Sequence, residues 1–317
     1  MKRILVTGSL GQIGSELTGV LRDVYGNSNV IASDKRPKPS DGMWESGPFE
    51  TLDVLDIEEI GRIAQKHEVD TIIHLAAILS AVAEAKPDLA WHVNMNGLYN
   101  VLEVAHELKC AVFTPSSIGA FGPTTPLDET EQDTIQRPNT MYGVTKVAGE
   151  LLCDYYHKRF GVDTRGLRYP GIISNVTLPG GGTTDYAVEI FYEAVEKKRY
   201  TCYIAAGTFL DMMYMPDAIK AVIDLMEADP AKLVHRNAFN VTSMSFDPEI
   251  LAAEIKKHIP EFEMDYDVDP VRQGIAETWP NSMDDSCARE EWGWKPEFGL
   301  SDMTQDMIEK LSARLKR

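Results

Sequence analysis

The chain has 317 residues, 44% of them hydrophobic, and its formal net charge at pH 7 is −18. This length can bury a full core and form one large domain or two modest ones. The negative charge argues against a nucleic-acid partner, because a phosphate backbone repels such a surface. No apolar run reaches the ~18 residues of a membrane helix, and the N-terminal apolar stretch is too short for a secretion signal. We therefore expect no contact with a membrane.

Cysteine and histidine follow no metal-binding or disulfide pattern. Cys110, Cys153, Cys202 and Cys287 lie far apart and form no C-x-x-C pair. They are expected to be reduced, mostly buried thiols of a cytoplasmic protein. The seven histidines also lack metal-ligand spacing, so no bound metal is expected.

Short apolar runs alternate with helical patterns in the first half of the chain, which is typical of βαβ units on a parallel sheet. The runs are rich in Val and Ile and continuously apolar, as strands covered on both faces are. They predict strands at residues 4–7, 30–33, 71–75, 111–114 and 164–167. Two long helices near residues 88–108 and 140–158 carry more apolar surface than one sheet face needs.

Turn signals replace strong strand patterns after Arg168. Helices are predicted at 185–198, 216–227, 248–258 and 300–315, with one strand at 238–241. The expected fold class is α/β, with a Rossmann-type doubly wound parallel sheet and a smaller, mostly C-terminal α/β lobe for the substrate. We expect the nucleotide domain at 1–169 plus about 205–246, and the lobe at about 170–204 and 247–317.

A glycine turn follows the first predicted strand and precedes a helix that begins near Gln12. Gly8, Gly11 and Gly14 have the spacing G-x-x-G-x-x-G. Glycines let a phosphate approach the backbone closely, and the helix N-terminus attracts the anion. Asp34 ends the next strand, where a carboxylate can accept both ribose hydroxyls of an adenosine. The combination predicts a dinucleotide site, whereas the glycines alone would also suit an ordinary strand-turn-helix.

The carboxylate of Asp34 favours NAD over NADP as the cofactor, because it repels a 2′-phosphate. Lys35 and Arg36 leave the alternative open, since their charges could neutralise an added phosphate. Asp53 follows a polar loop and either reaches the adenine amino group or is a solvated turn residue. A third strand ends in Leu-Ala-Ala at 75–77, where small side chains either admit the cofactor or only pack.

Tyr142 and Lys146 lie four positions apart on a predicted helix. Side chains at this spacing share a helix face, about 6 Å apart at Cβ. An ammonium group beside the phenol, together with an oxidised nicotinamide, favours the phenolate, which can remove a proton from an alcohol. Such pairs also arise by chance, but this one follows several predicted strands of a dinucleotide fold. It therefore predicts oxidation or reduction of a carbon–oxygen bond.

Two serines, Ser116 and Ser117, follow the strand predicted at 111–114. The carboxyl ends of strands are where an open α/β sheet places its ligand. We expect Ser117 to hydrogen-bond the substrate oxygen while Tyr142 takes its proton, and Ser116 to cap the following turn.

Together these residues resemble the extended short-chain dehydrogenase/reductase superfamily over nearly the whole chain. Its best-known members are sugar-nucleotide epimerases, which carry an arginine before an aspartate that helps to hold the substrate diphosphate. Residues 209–212 here read Phe-Leu-Asp-Met, and the missing guanidinium argues against a UDP-sugar. The residues that match the nucleotide turn, a mid-helix asparagine and the catalytic trio are Gly8, Gly11, Gly14, Asn94, Ser117, Tyr142 and Lys146.

Three further stretches, at 169–173, 180–187 and 277–280, are similar to those of the L-threonine 3-dehydrogenases of the short-chain type. In that family the Tyr-Pro-Gly stretch lies near the cofactor carboxamide, and the glycine-rich loop and tryptophan segment help to enclose a small amino acid. The glycines and threonines of the loop also offer N–H and hydroxyl groups to a small carboxylate, or form a flexible surface loop. Trp279 either closes the pocket or packs on the lobe. Ser80 either contacts the substrate or caps a helix.

The resemblance implies oxidation of L-threonine at C3 to 2-amino-3-oxobutanoate, with the hydride passing to NAD⁺. Tyr142 is then the base, Lys146 favours the phenolate and binds the nicotinamide ribose, and Ser117 orients the hydroxyl. The expected cofactor-binding residues are Gly8, Gly11, Gln12, Ile13, Gly14, Asp34, Asp53, Val54, Leu75, Ala76, Ala77, Asn94, Tyr142, Lys146, Tyr169 and Ile172. The expected substrate-binding residues are Ser80, Ser117, Tyr142, Gly181, Thr183, Thr184 and Trp279.

Two other functions stay open at this point. A sugar-nucleotide epimerase or dehydratase of the same superfamily uses the same trio and returns the hydride to its substrate. A dinucleotide-sensing protein without catalysis keeps the fold but usually lacks the tyrosine or the lysine. The resemblance also implies a homodimer, in which the helices near 88–108 and 140–158 pair with their copies as a four-helix bundle.

Overall fold

The computed structural model describes residues 1–39, 42–177 and 180–315. Its centre is a seven-stranded sheet in which every pairing is parallel, which confirms the predicted α/β, doubly wound class. In spatial order the strands are β10 (Phe239–Asn240), β6 (Thr164–Tyr169), β5 (Ala111–Ser117), β4 (Thr71–His74), β1 (Ile4–Thr7), β2 (Val30–Asp34) and β3 (Phe49–Thr51).

All five strands predicted in the first half are present, and they differ from the prediction only at their ends. Strands β1, β2, β4 and β6 are buried along their whole length, as continuously apolar strands between two helical layers must be. Strand β5 continues to Ser117 because its last three residues pair with the end of β6. This extension carries the two serines to the carboxyl edge of the sheet.

Helices cover both faces of the sheet and bury one apolar cluster on each. One face packs against α1 (Gln12–Tyr25), α8 (Met215–Glu227) and α11 (Ser286–Trp292). The other packs against α2 (Ile57–Lys66), α5 (Gly97–Leu108) and α6 (Met141–Phe160).

The helix predicted near 88–108 is not regular throughout. Helix α3 (Ser80–Ala85) is followed by α4 (Pro87–Trp91), by a π-helical turn at His92–Asn96, and then by α5. A π turn adds a residue to the helical repeat and shifts the phase of the side chains that follow.

A second lobe has its own buried core, built mainly by α7 (Tyr186–Lys197), α9 (Pro248–His258) and α12 (Leu300–Leu315). Helices α9 and α12 have the predicted bounds. The lobe also holds α10 (Pro270–Ala276) and short strands that the sequence did not predict. These are β7 (Gly171–Ile173), β8 (Arg199–Cys202), β9 (Leu210–Tyr214), β11 (Met244–Phe246) and β12 (Glu263–Tyr266).

The short strands form two small sheets, of which one has the order β11-β9-β7 and the other pairs β12 with β8. The first takes strands from both of the segments that the sequence assigned to separate domains, so the boundary is interleaved there. The exact division into domains stays a prediction. Across the described residues, no helix combines the length and the apolar character that crossing a membrane requires.

Candidate active site

A cleft follows the carboxyl edge of the sheet where the strand order reverses, between β1 and β4. Open α/β sheets bind their ligands at this switch point. The cleft has two parts of about 850 and 1060 Å³, and Gly8, Gly11, Leu75 and Ala77 line both of them. The two parts are therefore continuous. The smaller part contains Asp34 and Asp53. The larger part contains Ser117, Tyr142 and Trp279 and is called the compact end below.

The glycine turn forms the wall between the two parts. Gly8 has a φ of +69°, and a Cβ there would lie 2.7 Å from the backbone nitrogen of Ala76. A Cβ on Gly14 would lie 2.3 Å from the carbonyl oxygen of Gly8. Helix α1 begins directly after this turn, at Gln12, whose buried Nε2 has no hydrogen-bond partner among the described residues. A tight backbone cradle and a spare donor at a helix N-terminus fit a dinucleotide pyrophosphate.

Asp34 lies at one end of the cleft with most of its surface buried. Its Oδ1 accepts hydrogen bonds from the Arg36 backbone N–H at 3.0 Å and from Nε at 2.9 Å, while Oδ2 accepts from Nη2 at 3.0 Å. Burial would raise the pKa of Asp34, but these contacts outweigh it and hold the pKa below its usual range. The charge of Arg36 is thus already paired with Asp34, which weakens the case for a 2′-phosphate site.

Three more of the residues expected to bind the cofactor lie at this end. Asp53, Val54 and Ala76 line it as predicted, and Asp53 Oδ1 also accepts from the Leu55 N–H at 3.0 Å. Seven further residues line this part, and most of them are apolar: Lys35, Arg36, Leu52, Leu55, Ile78, Leu89 and Val93. The five apolar ones were not predicted from the sequence.

Tyr142, Lys146 and Ser117 meet in the compact part of the cleft. Thr140 caps α6 by accepting a hydrogen bond from the Gly143 N–H at 3.1 Å, so Tyr142 lies in the first helical turn. Lys146 Nζ lies 5.4 Å from the centre of the Tyr142 ring and donates to the Pro115 carbonyl at 2.7 Å. The predicted trio is therefore brought together, with the ammonium group next to the phenol.

Gly119 fits between the phenol and the serine. A Cβ there would lie 3.0 Å from the Tyr142 ring and 3.5 Å from Ser117 Oγ. Ser117 Oγ accepts from the Gly119 N–H at 3.1 Å, and Ser117 caps the short turn that follows. The capping role predicted for Ser116 is therefore wrong. Its hydroxyl is buried and donates to Glu150, because that carboxylate arrives from α6 beneath the strand.

Asn94 does not line the cleft. Its Oδ1 accepts from the Ile78 N–H at 2.7 Å, and its Nδ2 donates to the Ile78 carbonyl and to Thr145 Oγ1, both at 3.1 Å. Asn94 and Lys146 line a small cavity below the cleft. The asparagine thus fixes the loop after β4 against α6, and its direct contact with a cofactor stays a prediction.

A buried histidine lies beneath Lys146. His74 Nδ1 is 2.9 Å from the Thr7 hydroxyl, and both side chains are almost fully buried. Burial, with a smaller contribution from the charge of Lys146, lowers the pKa of His74 to about 3. The imidazole is therefore neutral at pH 7, and Lys146 is the nearby positive charge.

The compact end is closed by residues from the second lobe and from the start of α3. Trp279 lines the cleft and also packs in the core of the lobe, so it takes both of the positions that the sequence left open. Ser80 is buried and lines the cleft, but it does not cap α3, whose N-cap residue is Leu79. Gly181 does not line the cleft, whereas Gly182 does. The remaining predicted lining residues here are Ile13, Tyr169, Ile172, Thr183 and Thr184.

The sequence analysis missed Asp185, which lines the compact end. Its Oδ2 accepts from the backbone N–H groups of Gly181, at 2.9 Å, and Gly182, at 2.5 Å. These N–H groups are therefore not free for a substrate carboxylate, contrary to the prediction. Burial raises the pKa of Asp185 to about 6. Asp185 lies three residues after Gly182, the spacing at which an acidic side chain accepts from the N–H group at the start of a helix, and this was the available signal.

A family model described as the NAD dependent epimerase/dehydratase family matches residues 4–242. The chain belongs to this family. A curated relative from Staphylococcus haemolyticus, described as an uncharacterized epimerase/dehydratase, is 56% identical over 314 residues, which is 99% of each chain.

Solved structures of high similarity are L-threonine dehydrogenases. That of Clostridium difficile is 64% identical with a TM-score of 0.97, over 99% of this chain and 98% of its own. That of Phytophthora infestans is 50% identical with a TM-score of 0.95, over 99% and 100%. A UDP-glucose 4-epimerase from Thermotoga maritima, at 22% identity and a TM-score of 0.85 over 99% of each chain, shares the fold.

The compact end of this epimerase/dehydratase family member carries few charges. Among the described residues that line it, Lys146 and Asp185 are the charged ones, and none is an arginine. Asp211 is fully buried and accepts from the Thr242 hydroxyl at 2.5 Å and the Met283 N–H at 2.8 Å. It therefore binds the chain at Met283, just after the segment that contains Trp279. A substrate diphosphate would find no guanidinium group at this end.

Proposed function

We propose that the protein oxidises L-threonine at C3 to 2-amino-3-oxobutanoate with NAD⁺. The observation that carries the proposal is the lining of the compact end, where one carboxylate, Asp185, shares the cleft with Tyr142 and Lys146 and where none of the described lining residues is an arginine. This suits a compact zwitterion with a hydroxyl group better than a diphosphate. The similarity to two L-threonine dehydrogenases over nearly the full chain supports the same substrate.

The cofactor would lie along the whole cleft. Asp34 would accept the ribose hydroxyls of the adenosine, and the glycine turn with Gln12 would hold the pyrophosphate. Tyr169 and Ile172 line the cleft where the nicotinamide would end, although the Tyr169 hydroxyl is already bonded to the Ala218 carbonyl at 2.6 Å. NAD⁺, when bound, supplies the acceptor for the hydride that leaves C3.

The chain itself handles the proton. Tyr142, as phenolate, takes the proton of the threonine hydroxyl, and Ser117 orients that hydroxyl by a hydrogen bond. Lys146 uses one N–H on the Pro115 carbonyl, so its charge is held beside the ring and two N–H groups are left for the ribose and the phenolate. Precise positioning of the hydroxyl against the base supplies much of the rate.

Asp185 and Thr183 recognise the two charged ends of the amino acid in this proposal. The Asp185 carboxylate would pair with the substrate ammonium group, and a charge-assisted hydrogen bond of this kind is among the strong ones. Thr183 Oγ1 is buried without a partner among the described residues and lines the same end, so it has a donor to offer the substrate carboxylate. Ser80 and Thr184 line the cleft beside them.

The test is a comparison of substrates with the purified protein and NAD⁺. We expect NADH formation with L-threonine, and much less with L-allo-threonine, L-serine and 2-propanol. Equal turnover of 2-propanol would contradict recognition of the zwitterion by Asp185. Conversion of UDP-glucose without free NADH would instead identify a sugar-nucleotide epimerase. Binding of NAD⁺ without turnover of any of these substrates would identify a dinucleotide sensor.

The preference for NAD over NADP follows from Asp34. Replacing Asp34 with Ser removes the charge-assisted acceptor of the ribose hydroxyls and releases Arg36 from its ion pair. We expect NAD⁺ to bind roughly 10- to 100-fold more weakly, which corresponds to a lost hydrogen bond to a charged group. NADP⁺ should then bind at least as well as before.

Dissociation constants measured by intrinsic fluorescence or calorimetry check this prediction. The matched control is Asp88→Ser, an exposed aspartate at the start of α4 that does not line the cleft. An unchanged ratio of the two affinities in Asp34→Ser would contradict the assignment.

We also propose a cytoplasmic location. All four cysteines are unpaired, and Cys110, Cys153 and Cys202 are buried. Free thiols of this kind are typical of a reducing compartment. Fractionation of cells that make the tagged protein tests the location.

A homodimer through α5 and α6 remains part of the proposal. Its support is a set of large apolar side chains that are more than a third exposed on α4, α5 and α6: Leu89, Trp91, Tyr99, Val144, Leu151, Tyr155 and Phe160. Contiguous apolar surface of this kind often marks an interface. One similar structure, at 47% identity, is described as a monomeric L-threonine 3-dehydrogenase, so the two states need to be distinguished by experiment.

Light scattering coupled to gel filtration is expected to give twice the 35.3 kDa mass of one chain. Leu151→Glu should convert the protein to a monomer, because it buries a charge in the interface. Val268→Glu, which changes an exposed valine far from these helices, should leave the mass unchanged. A monomeric wild type would refute the dimer.

A further inference from the structure

Three residues with metal-binding side chains meet at α11, and none of them lines the cleft. Cys287 and Glu291 lie four positions apart on this helix and therefore share a face. His235 comes from the loop before β10. One ligand atom from each residue, the Cys287 sulfur, a Glu291 oxygen and a His235 ring nitrogen, lies within 4.8 Å of the other two.

Hydrogen bonds hold this cluster in position. One Glu291 oxygen accepts from the backbone N–H groups of Val234 and His235, the second at 3.1 Å, while the other oxygen contacts His235 Nδ1. The same carboxylate therefore fixes both the helix and the loop. His235 Nε2, the other ring nitrogen, lies 3.4 Å from an oxygen of Asp133, so carboxylates flank the imidazole on both sides.

The surroundings of the cluster are negatively charged. The carboxylates of Glu291, Asp284, Glu290 and Asp133 lie around the Cys287 side chain. Among the described residues, no lysine or arginine forms an ion pair with any of these four carboxylates. The nearby Arg289 pairs instead with Asp285, the N-cap residue of α11. His235 is the basic partner of Glu291 and Asp133, and a bound divalent cation would add positive charge to this acidic cluster.

We propose that His235, Cys287 and Glu291 form a zinc site, with a water as fourth ligand. Zinc binds thiolate at about 2.3 Å and imidazole or carboxylate at about 2.0–2.2 Å, which separates tetrahedral ligand atoms by about 3.3–3.7 Å. Side-chain rotations that move atoms by about 1 Å bring the present cluster to that geometry. The thiol releases its proton to solvent as the zinc–sulfur bond forms.

The donor set determines which metal the site takes. A thiolate with an imidazole suits zinc, whereas magnesium and calcium prefer oxygen ligands only. The ion would join α11 to the loop before β10, two parts of the chain that lie far apart in sequence. Its role is to cross-link these segments, away from the reacting groups.

The test titrates the full-length protein, freed of metal with a chelator, with Co²⁺ as a coloured probe for zinc sites. We expect one Co²⁺ per chain with a near-ultraviolet thiolate-to-cobalt band, which Zn²⁺ abolishes by displacement. Cys287→Ser should remove the band, and His235→Asn and Glu291→Gln should each weaken binding by about tenfold or more. Glu290→Gln, the same charge change at an exposed neighbour, should alter affinity by about twofold at most.

Thermal unfolding gives a second readout. Zn²⁺ should raise the Tm of the wild type and not that of Cys287→Ser, because an ion that binds only the folded chain stabilises it. The absence of the thiolate band in the wild type would overturn the proposal. So would a band that survives in Cys287→Ser, or equal losses of affinity in Glu290→Gln and Glu291→Gln.

Discussion

Replacing Tyr142 with Phe is expected to lower kcat for L-threonine oxidation by about 10²-fold or more. The change removes one oxygen atom, the one that would take the substrate proton. It leaves the ring beside Gly119 and the ammonium group of Lys146, so the shape of the compact end is retained. The dissociation constant of NAD⁺ should therefore stay close to that of the wild type.

Steady-state kinetics and NAD⁺ binding are measured together for this prediction. The matched control is Tyr155→Phe, because Tyr155 lies on the same helix but is 54% exposed. The control should keep its turnover. If Tyr142→Phe kept near-normal turnover, Tyr142 would not be the base; if it lost NAD⁺ binding as well, its effect would be structural.

Replacing Asp185 with Asn is expected to raise KM for L-threonine strongly and to lower kcat/KM by about 10²-fold, the scale found when one partner of a buried charge pair is removed. Asparagine keeps a carbonyl oxygen for the N–H groups of Gly181 and Gly182, so the loop should stay in place. NAD⁺ binding should not change. The control is Glu189→Gln, which removes the same charge one helical turn further on and outside the cleft.

The pH dependence gives an independent check on the same carboxylate. Asp185 must be ionised to bind an ammonium group, and burial raises its pKa to about 6. In the free enzyme, kcat/KM for L-threonine should therefore fall as the pH drops through about 6, and Asp185→Asn should lose this limb of the profile. A profile that is flat between pH 5 and pH 7 in the wild type would argue against the ammonium contact.

Much of the site could be predicted because its signals are local. The glycine turn, the acid at the end of β2 and the Tyr-x-x-x-Lys spacing each depend on residues within one or two elements. The same holds for α9, where Asp247 caps the first turn, and for α12, where apolar spacing marks the helix. Strands such as β9 were missed because their sequence has no alternation, and an aspartate points into the core.

Other parts of the site depend on contacts between distant segments. Asp185 was placed at the start of a helix, whereas its carboxylate turns back to the glycine loop and into the cleft. The partner of Ser116 could not be predicted from the sequence, since only the packing of α6 brings Glu150 to its hydroxyl. His235 and Cys287 lie far apart in the sequence, so no local spacing indicates that they meet.

The βαβ order, the glycine turn and the tyrosine–lysine pair could be predicted from the sequence alone, because hydrophobic periodicity and short spacings are properties of neighbouring residues. The fold was needed to show that Asp185 lies beside the reacting groups and that the N–H groups of Gly181 and Gly182 are already bonded. It was also needed to show that Cys287 lies near His235. Those outcomes depend on how separate segments pack, and packing brings together residues whose distance along the chain carries no signal.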